Sequence, residues 1–295
     1  MRVSSRTATH TSRLKIGDRV MHTDVKIKPF WYSDTFVFPK LITIVTTLNS
    51  EGKVNAAPYS HIMQYDVMHK TPRIYLGFRN TSHTFQNIRD TGEFVINCPS
   101  ASHLKDMMET ARFHPEGVNE LEHTSFTQIP SKRVKPPSIA ECKQILECTV
   151  DKVVDLDATQ GHVIANIVSL MVEEELVDMG REDRLRALDL PIGLGDERRA
   201  DYFYCHSDNI EMYTLEDIEE SADEVVALVT GMDWDEGSMK ALRRVPAGVR
   251  RTVIRHTEAA AKEKGATEIT AELYGQISKE AGMDDAVLDR FQSGG

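Results

Sequence analysis

The sequence lacks any apolar run that approaches the roughly 20 residues of a membrane-spanning helix. Its first 25 residues mix Arg, Thr, Ser, His and Asp, without the apolar core of a secretory signal peptide. We therefore expect a cytoplasmic protein that is not bound to a membrane.

Positive charge is also in short supply. The chain has 35 Lys and Arg against 46 Asp and Glu, which gives a formal net charge of −11. Such a balance disfavours broad attraction to nucleic acid or to an anionic membrane surface. We expect no nucleic-acid partner.

Cysteine is scarce and scattered. The four cysteines stand singly, without the paired spacing of a zinc site or the density of a disulfide-rich secreted protein, so they are interpreted as reduced, mostly buried thiols. A metal site is an alternative interpretation of three histidines and three acidic residues that lie close in sequence: His103, Asp106, His114, Glu116, Glu120 and His123. The preferred interpretation is solvated loop residues, and no metal is expected.

The first two thirds of the chain are strand-like. Short β-branched runs such as LITIVTTL, RIYLGF, EFVIN, ILECTVDKVVDL and HVIANIVSLMV are separated by Gly, Pro, Asn and Asp. Asn49 to Gly52 forms a hairpin connection, because Gly52 suits the positive φ of such turns. The pattern predicts a mainly β, antiparallel barrel.

Two short helices interrupt these strands. One is predicted from about Ser82 to Asp90, opened by Thr81 and closed near Gly92, and the other runs through HLKDMMETA. Both predicted helices are short, so we interpret them as connections within a mainly β domain.

The character of the sequence changes after Tyr213. An acidic stretch predicts a linker over 214–233, which divides the chain into a barrel domain over 1–213 and a small all-α domain over 234–295. In the second domain, one helix has an apolar face, and Thr270 is the predicted N-cap of a second helix. The apolar face is formed by Leu242, Val245, Val249, Val253 and Ala260.

Three strings from Thr43 to Pro99 carry the most information: TIVTTLNSEGKVNAAPYSHI, PRIYLGFRNTSHTFQNI and TGEFVINCP. Their order and content resemble the flavin-reductase-like family. The resemblance implies an FMN-binding split β-barrel with Greek-key, antiparallel topology, and a homodimer with FMN at or near the subunit interface. FMN is expected rather than FAD, because one phosphate clamp is visible and a second is not.

The resemblance also implies the cofactor-binding residues. Small residues let a planar ring lie against a strand, and neutral hydroxyls suit its polar edge. The expected ring and ribityl contacts are Thr46, Thr47, Asn55, Ala56, Ala57 and Ser60. The phosphate is expected where a strand ends and a helix begins, at Arg79, Asn80, Thr81 and Thr84.

Two further residues match less specific positions of the family. Asn87 corresponds to its NI position, and His162 in GHVIANIV corresponds to a strand histidine on the nicotinamide or substrate side of the flavin, although Ala165 replaces a frequent glycine. Ordinary structural roles remain the alternative: a helix side chain bonded to a loop, and a strand histidine bonded to a backbone carbonyl. His162 is the candidate catalytic residue.

The C-terminal string from Trp234 resembles the small C-terminal domain of the light-independent protochlorophyllide reductase B subunit. Gly248 stands where that domain has an aromatic residue, and the chain lacks the cysteine set of an iron–sulfur cluster. Chlorophyll synthesis is therefore not implied. The matching positions are Trp234, Pro246, Val249, Arg250, Glu258, Ala261, Gly265, Ile269 and Thr270.

The expected function is that of an NAD(P)H-dependent flavin reductase. Hydride transfer to a flavin needs stacked rings and little proton chemistry from the protein. Two alternatives stay open: an FMN electron carrier of flavoredoxin type, and a flavoenzyme acting on a small organic ring compound. A redox partner protein is a further candidate partner.

Overall fold

The structure is a computed structural model, and it describes most of the chain. The described residues are 23–27, 36–66, 71–155, 159–198, 201–212, 230–245 and 247–282. The predicted linker lies outside the described residues except for its last four positions, 230–233. The division into two domains therefore stays a prediction.

Short strands dominate the part of the chain before the predicted linker. In chain order the strands are β1 Lys40–Leu41, β2 Thr43–Leu48, β3 Val54–Tyr59, β4 Ile62–Asp66, β5 Arg73–Arg79, β6 Glu93–Cys98, β7 Gln128–Ile129, β8 Ser138–Ile139, β9 Gln144–Asp155, β10 Gln160–Val172, β11 Ile192–Arg198, β12 Asp201–Cys205, β13 Asp233–Trp234 and β14 Glu268–Ile269. The helices are α1 His83–Thr91, α2 Leu104–Glu109, α3 Glu174–Val177, α4 Arg181–Leu188, α5 Glu236–Arg243, α6 Ala247–Glu263 and α7 Ala271–Glu280.

The main sheet has seven strands in the order β3-β2-β6-β9-β10-β5-β4, and every neighbouring pair is antiparallel. A second sheet, β1-β11-β12, is also antiparallel. The strand-like runs of the sequence lie in these strands, apart from Ile42 between β1 and β2 and Leu156, which is outside the described residues. The mainly β split barrel is thereby confirmed. Gly52 has a φ of 78°, as its predicted hairpin requires.

Two apolar cores lie on opposite faces of the sheet. Alternate residues of one strand enter different cores, since side chains along a strand point to opposite faces. On β2, Val45 packs with Leu76, Phe85 and Phe94, whereas Ile44 packs with the other core. Successive residues of a strand therefore lie on opposite faces of the sheet, so only alternate residues can reach the same site.

The helix α1 begins one residue later than the sequence predicts. Ser82, not Thr81, is the N-cap: its backbone is extended and its Oγ accepts a hydrogen bond of 3.3 Å from the backbone N–H of Phe85. Both residue types cap helices well, so the backbone conformation decides between them. The helix closes at Gly92 with a φ of 71°, as predicted.

The segment after the predicted linker folds around its own apolar residues. Leu242, Val245 and Ile254 form one cluster, and Ile269 and Tyr274 belong to a second. Thr270 caps α7, which confirms that prediction, and the side chain of Val249 lies outside the described residues. Besides its helices, this segment contains a short parallel pair of strands, β13 and β14.

None of the helices within the described residues combines the length and apolar character needed to cross a membrane.

Candidate functional site

A cavity of about 560 Å³ opens where β3, β5 and the start of α1 meet the segment 110–114; we call it the main cavity. Its volume falls within the roughly 300 to 1,000 Å³ that is usual for small-molecule sites. Six of the residues expected to bind a cofactor line it: Asn55, Ala57, Ser60, Arg79, Thr81 and Thr84.

One end of the main cavity is suited to an anion. Arg79 ends β5, and the first turn of α1 follows with no acidic residue in it. The free N–H groups and the positive end of a helix dipole favour a phosphate or carboxylate at such a place, and a guanidinium strengthens that preference. The predicted phosphate position therefore lies at a helix start that can hold it.

A buried network of amides and hydroxyls supports this end of the cavity. The Nδ2 group of Asn55 donates to Thr84 Oγ1 at 2.9 Å and to Thr47 Oγ1 at 3.4 Å. Asn87 Nδ2 donates to the same Thr47 hydroxyl at 3.0 Å. Thr47 and Asn87 do not line the cavity, but they hold β3 against α1.

The remaining expected residues lie elsewhere. Thr46 is fully buried on the opposite face, where its hydroxyl donates to the carbonyl of Pro137 at 2.6 Å. Ala56 is also fully buried. The backbone N–H of Asn80 bonds to the carbonyl of Thr159 at 3.1 Å, and neither Asn80 nor His162 is among the residues around the cavity.

Glu120 lines the main cavity, although the sequence predicts a solvated loop residue or, as the alternative, a metal ligand. It is only 5% exposed, and its Oε2 accepts a hydrogen bond of 2.7 Å from the backbone N–H of Ala56. Burial raises the pKa of its carboxyl group. No local pattern marks it, because a fold contact over 64 residues brings it to the strand.

His162 belongs to a cluster of rings on β5 and β10. Its Nδ1 is hydrogen-bonded to the hydroxyl of Tyr75, and the two rings stack with centroids 5.2 Å apart. The His61 ring, which does line the main cavity, has its centroid 6.2 Å from that of His162. Gly77 leaves room for His61, since a Cβ there would overlap the imidazole. His61, unlike His162, therefore lines the main cavity, as His83 and His114 also do.

His61 is expected to stay neutral near pH 7. Partial removal from water lowers its pKa, and the charge of Lys40 and the nearby His162 act in the same direction. Because the folded-state pKa is lowered, this group should make the protein less stable as pH falls through the ordinary histidine range. We expect its ring protons to titrate below pH 6.5 in NMR spectra, and a pKa at or above that value would contradict the assignment.

Within the described residues, Asp189, His206 and Asp208 offer metal-ligand atoms that lie within 4.8 Å of one another. The Asp189 carboxylate bonds His206 Nδ1 at 2.7 Å, and this contact raises the pKa of His206. His206 and Asp208 are exposed, so the group is explained as a surface ion pair.

Two family models match separate parts of the chain. The model of the "flavin reductase like domain" matches residues 35–185, and that of the "proto-chlorophyllide reductase 57 kD subunit" matches residues 234–277. An uncharacterised protein of Methanothermobacter thermautotrophicus is 32% identical over 144 residues, which cover 48% of this chain and 66% of that protein.

Two solved structures have a similar fold. Nitrilotriacetate monooxygenase component B of Bacillus cereus is 22% identical with a TM-score of 0.56, over 66% of this chain and 100% of that one. The 2-nitrobenzoate 2-nitroreductase of Pseudomonas fluorescens is 27% identical with a TM-score of 0.54, over 63% of this chain and 89% of that one. In both cases the similarity covers most of the other chain.

Proposed function

The chain belongs to the flavin reductase like family and is a flavin-linked oxidoreductase, and we propose that it is an NAD(P)H-dependent flavin reductase that binds FMN in the main cavity. The observation that carries the proposal is the position of Arg79, Thr81 and Thr84 at a helix start beside a cavity of about 560 Å³. One phosphate has a matching clamp there, which favours FMN over FAD.

The chain's own groups fit an FMN molecule. The small side chain of Ala57 leaves the strand backbone open to a planar ring, and the Ser60 hydroxyl can bond a polar edge. When bound, a flavin supplies the acceptance and release of electrons, so the protein has to bind, orient and shield it. A neutral His61 at the cavity wall adds a group that can donate or accept a hydrogen bond without bringing a charge.

The phosphate assignment is tested by truncation. Arg79→Ala or Thr81→Ala should weaken FMN binding by about 1 to 3 kcal/mol, because each removes a hydrogen bond to a charged group. Fluorescence titration of FMN with the apoprotein measures the change. Arg89→Ala is the matched control, since Arg89 lies in the last turn of the same helix. Unchanged affinity in both test variants would remove the phosphate from this place.

The reductase activity is tested under anaerobic conditions. NADH or NADPH added to the FMN-loaded protein should bleach the flavin absorbance, which requires nicotinamide and flavin rings to meet. A flavin that stays oxidised would favour the FMN electron carrier of flavoredoxin type, or a flavoenzyme for a small organic ring compound. If the protein binds no flavin, the proposal that it is an FMN-binding reductase is wrong.

The same proposal includes a homodimer. Support comes from exposed apolar side chains on the edge strand β4, among them Met63 and Tyr65. Exposed apolar patches are typical of association surfaces. Light scattering during size-exclusion chromatography measures the mass directly, and a monomer at micromolar concentration would reject the dimer. A reductase of this kind either releases reduced flavin or passes its electrons to a redox partner docked near the C-terminal helical segment, and the electron-carrier alternative depends on such a partner.

A further inference from the structure

A second cavity adjoins the main one, and most of its walls are aromatic or aliphatic. It has a volume of about 220 Å³. We call it the aromatic pocket, and it is walled by Phe38, Tyr59, Leu104, Met108, Tyr202, Phe203 and Tyr204. An engineered apolar cavity of about 150 Å³ holds benzene, so this volume accommodates one aromatic ring with a substituent.

The walls of the aromatic pocket include several aromatic side chains that remain exposed. Phe38 is 54% exposed, Phe203 56% and Tyr204 40%. Aromatic residues left open to solvent around a concavity mark a binding surface, because covering them removes apolar area from water. A ring is a better occupant than an aliphatic group, since aromatic pairs gain additional energy from stacked or edge-to-face contacts.

Two glycines on β11 leave space in the aromatic pocket because they have no side chain. On β11, Gly193 pairs with Tyr204 and Gly195 with Phe203. A Cβ at Gly193 would come within 3.2 Å of Ile42, and Gly195 has a φ of 116°, which side chains rarely adopt. At these two positions β11 contributes backbone rather than side chains, and space remains beside the aromatic residues of β12.

The aromatic pocket and the main cavity share part of their walls. Lys40, Pro58, Tyr59 and Ser60 line both. The pocket's own charged residues are Lys40 and Asp196, one of each sign. Equal and opposite charges give no preference for an ion, but they can bond a polar substituent that both donates and accepts.

We propose that the aromatic pocket binds an uncharged, planar aromatic compound of one or two rings with a polar substituent, beside the flavin cavity. The inference rests on the proposed function in one respect, which is that the main cavity holds FMN. The walls that β12 contributes to the aromatic pocket lie beyond residue 185, where the match to the family model ends.

Benzamide and its saturated counterpart cyclohexanecarboxamide are suitable probes, and calorimetry of the full chain, with and without FMN, measures their binding. Benzamide should bind saturably and at least about tenfold more tightly than cyclohexanecarboxamide, which corresponds to about 1.4 kcal/mol. Phe203→Ala should weaken benzamide about tenfold, and Met108→Trp, which fills the pocket, should abolish binding. Val177→Ala is the control, because Val177 is an exposed apolar residue that lines neither cavity.

The outcomes separate the two proposals. FMN titration of the same variants tests the main cavity, and unchanged FMN affinity shows that Phe203→Ala and Met108→Trp are folded. Benzamide that does not bind, that binds no better than its saturated counterpart, or that binds both variants like the wild type would overturn the aromatic pocket. Competition by NADH would indicate that the pocket takes the nicotinamide ring, and the absence of competition would indicate a different aromatic ligand; both results support the site.

Discussion

Phe85→Ala is expected to lower the free energy of unfolding by about 3 to 5 kcal/mol, the usual cost of removing a large buried ring. Phe85 has no exposed surface, packs in the core of the main sheet and stacks on Phe78 with ring centroids 5.6 Å apart. It also lies in the first turns of α1, so its loss should loosen the helix start proposed to bind phosphate. Urea unfolding followed by circular dichroism measures the change.

A double-mutant cycle makes this prediction specific. A Cβ placed on Gly161 would overlap the Phe85 ring, so Gly161→Ala should destabilise the wild-type protein. In the Phe85→Ala background the same substitution meets an empty volume and should cost much less, which gives a coupling energy between contacting residues. Phe113→Ala is the control, since Phe113 is 96% exposed. Additive effects of Phe85→Ala and Gly161→Ala would show that the two residues do not share this space.

The strands were predictable where the sequence pattern is strong. Apolar, β-branched runs define β2, β5, β6, β9 and β10, and the positive φ of Gly52 follows from its hairpin. The hairpin of β11 and β12 was not predicted, because Gly193, Gly195 and the charged end of β11 give it little strand character. Contacts with β1 stabilise it instead, and these are visible only in the folded chain.

The candidate site was predictable to a smaller extent. Residues in the turn from strand to helix, such as Arg79 and Thr81, follow directly from local order. Thr46 and Thr47 could not be separated, because a change of one residue in strand register reverses the face of each side chain. Glu120 reaches the main cavity through a tertiary contact that no local pattern encodes, whereas His61 directly follows the predicted Ser60.

Glu258→Ala is expected to destabilise the helical segment after the predicted linker by about 2 to 4 kcal/mol, because it leaves three donors without their charged acceptor. Glu258 is only 9% exposed. Its Oε1 accepts hydrogen bonds from Gly231 N–H at 2.7 Å, from Met232 N–H at 3.2 Å and from Trp234 Nε1 at 3.2 Å. The Glu258 carboxylate therefore holds residues 231–234 against α6.

A loss of that size should unfold a helical unit of this length, since small domains have little stability in reserve. The indole N–H resonance of Trp234 reports the change, and Glu263→Ala, an exposed position on the same helix, is the control. Glu258→Gln keeps one acceptor oxygen and should retain part of the stability. If residues 1–213 form an independent flavin-binding domain, FMN affinity should not change in Glu258→Ala. A parallel loss of FMN binding would instead mean that the helical segment supports the barrel, and the predicted boundary would have to be abandoned.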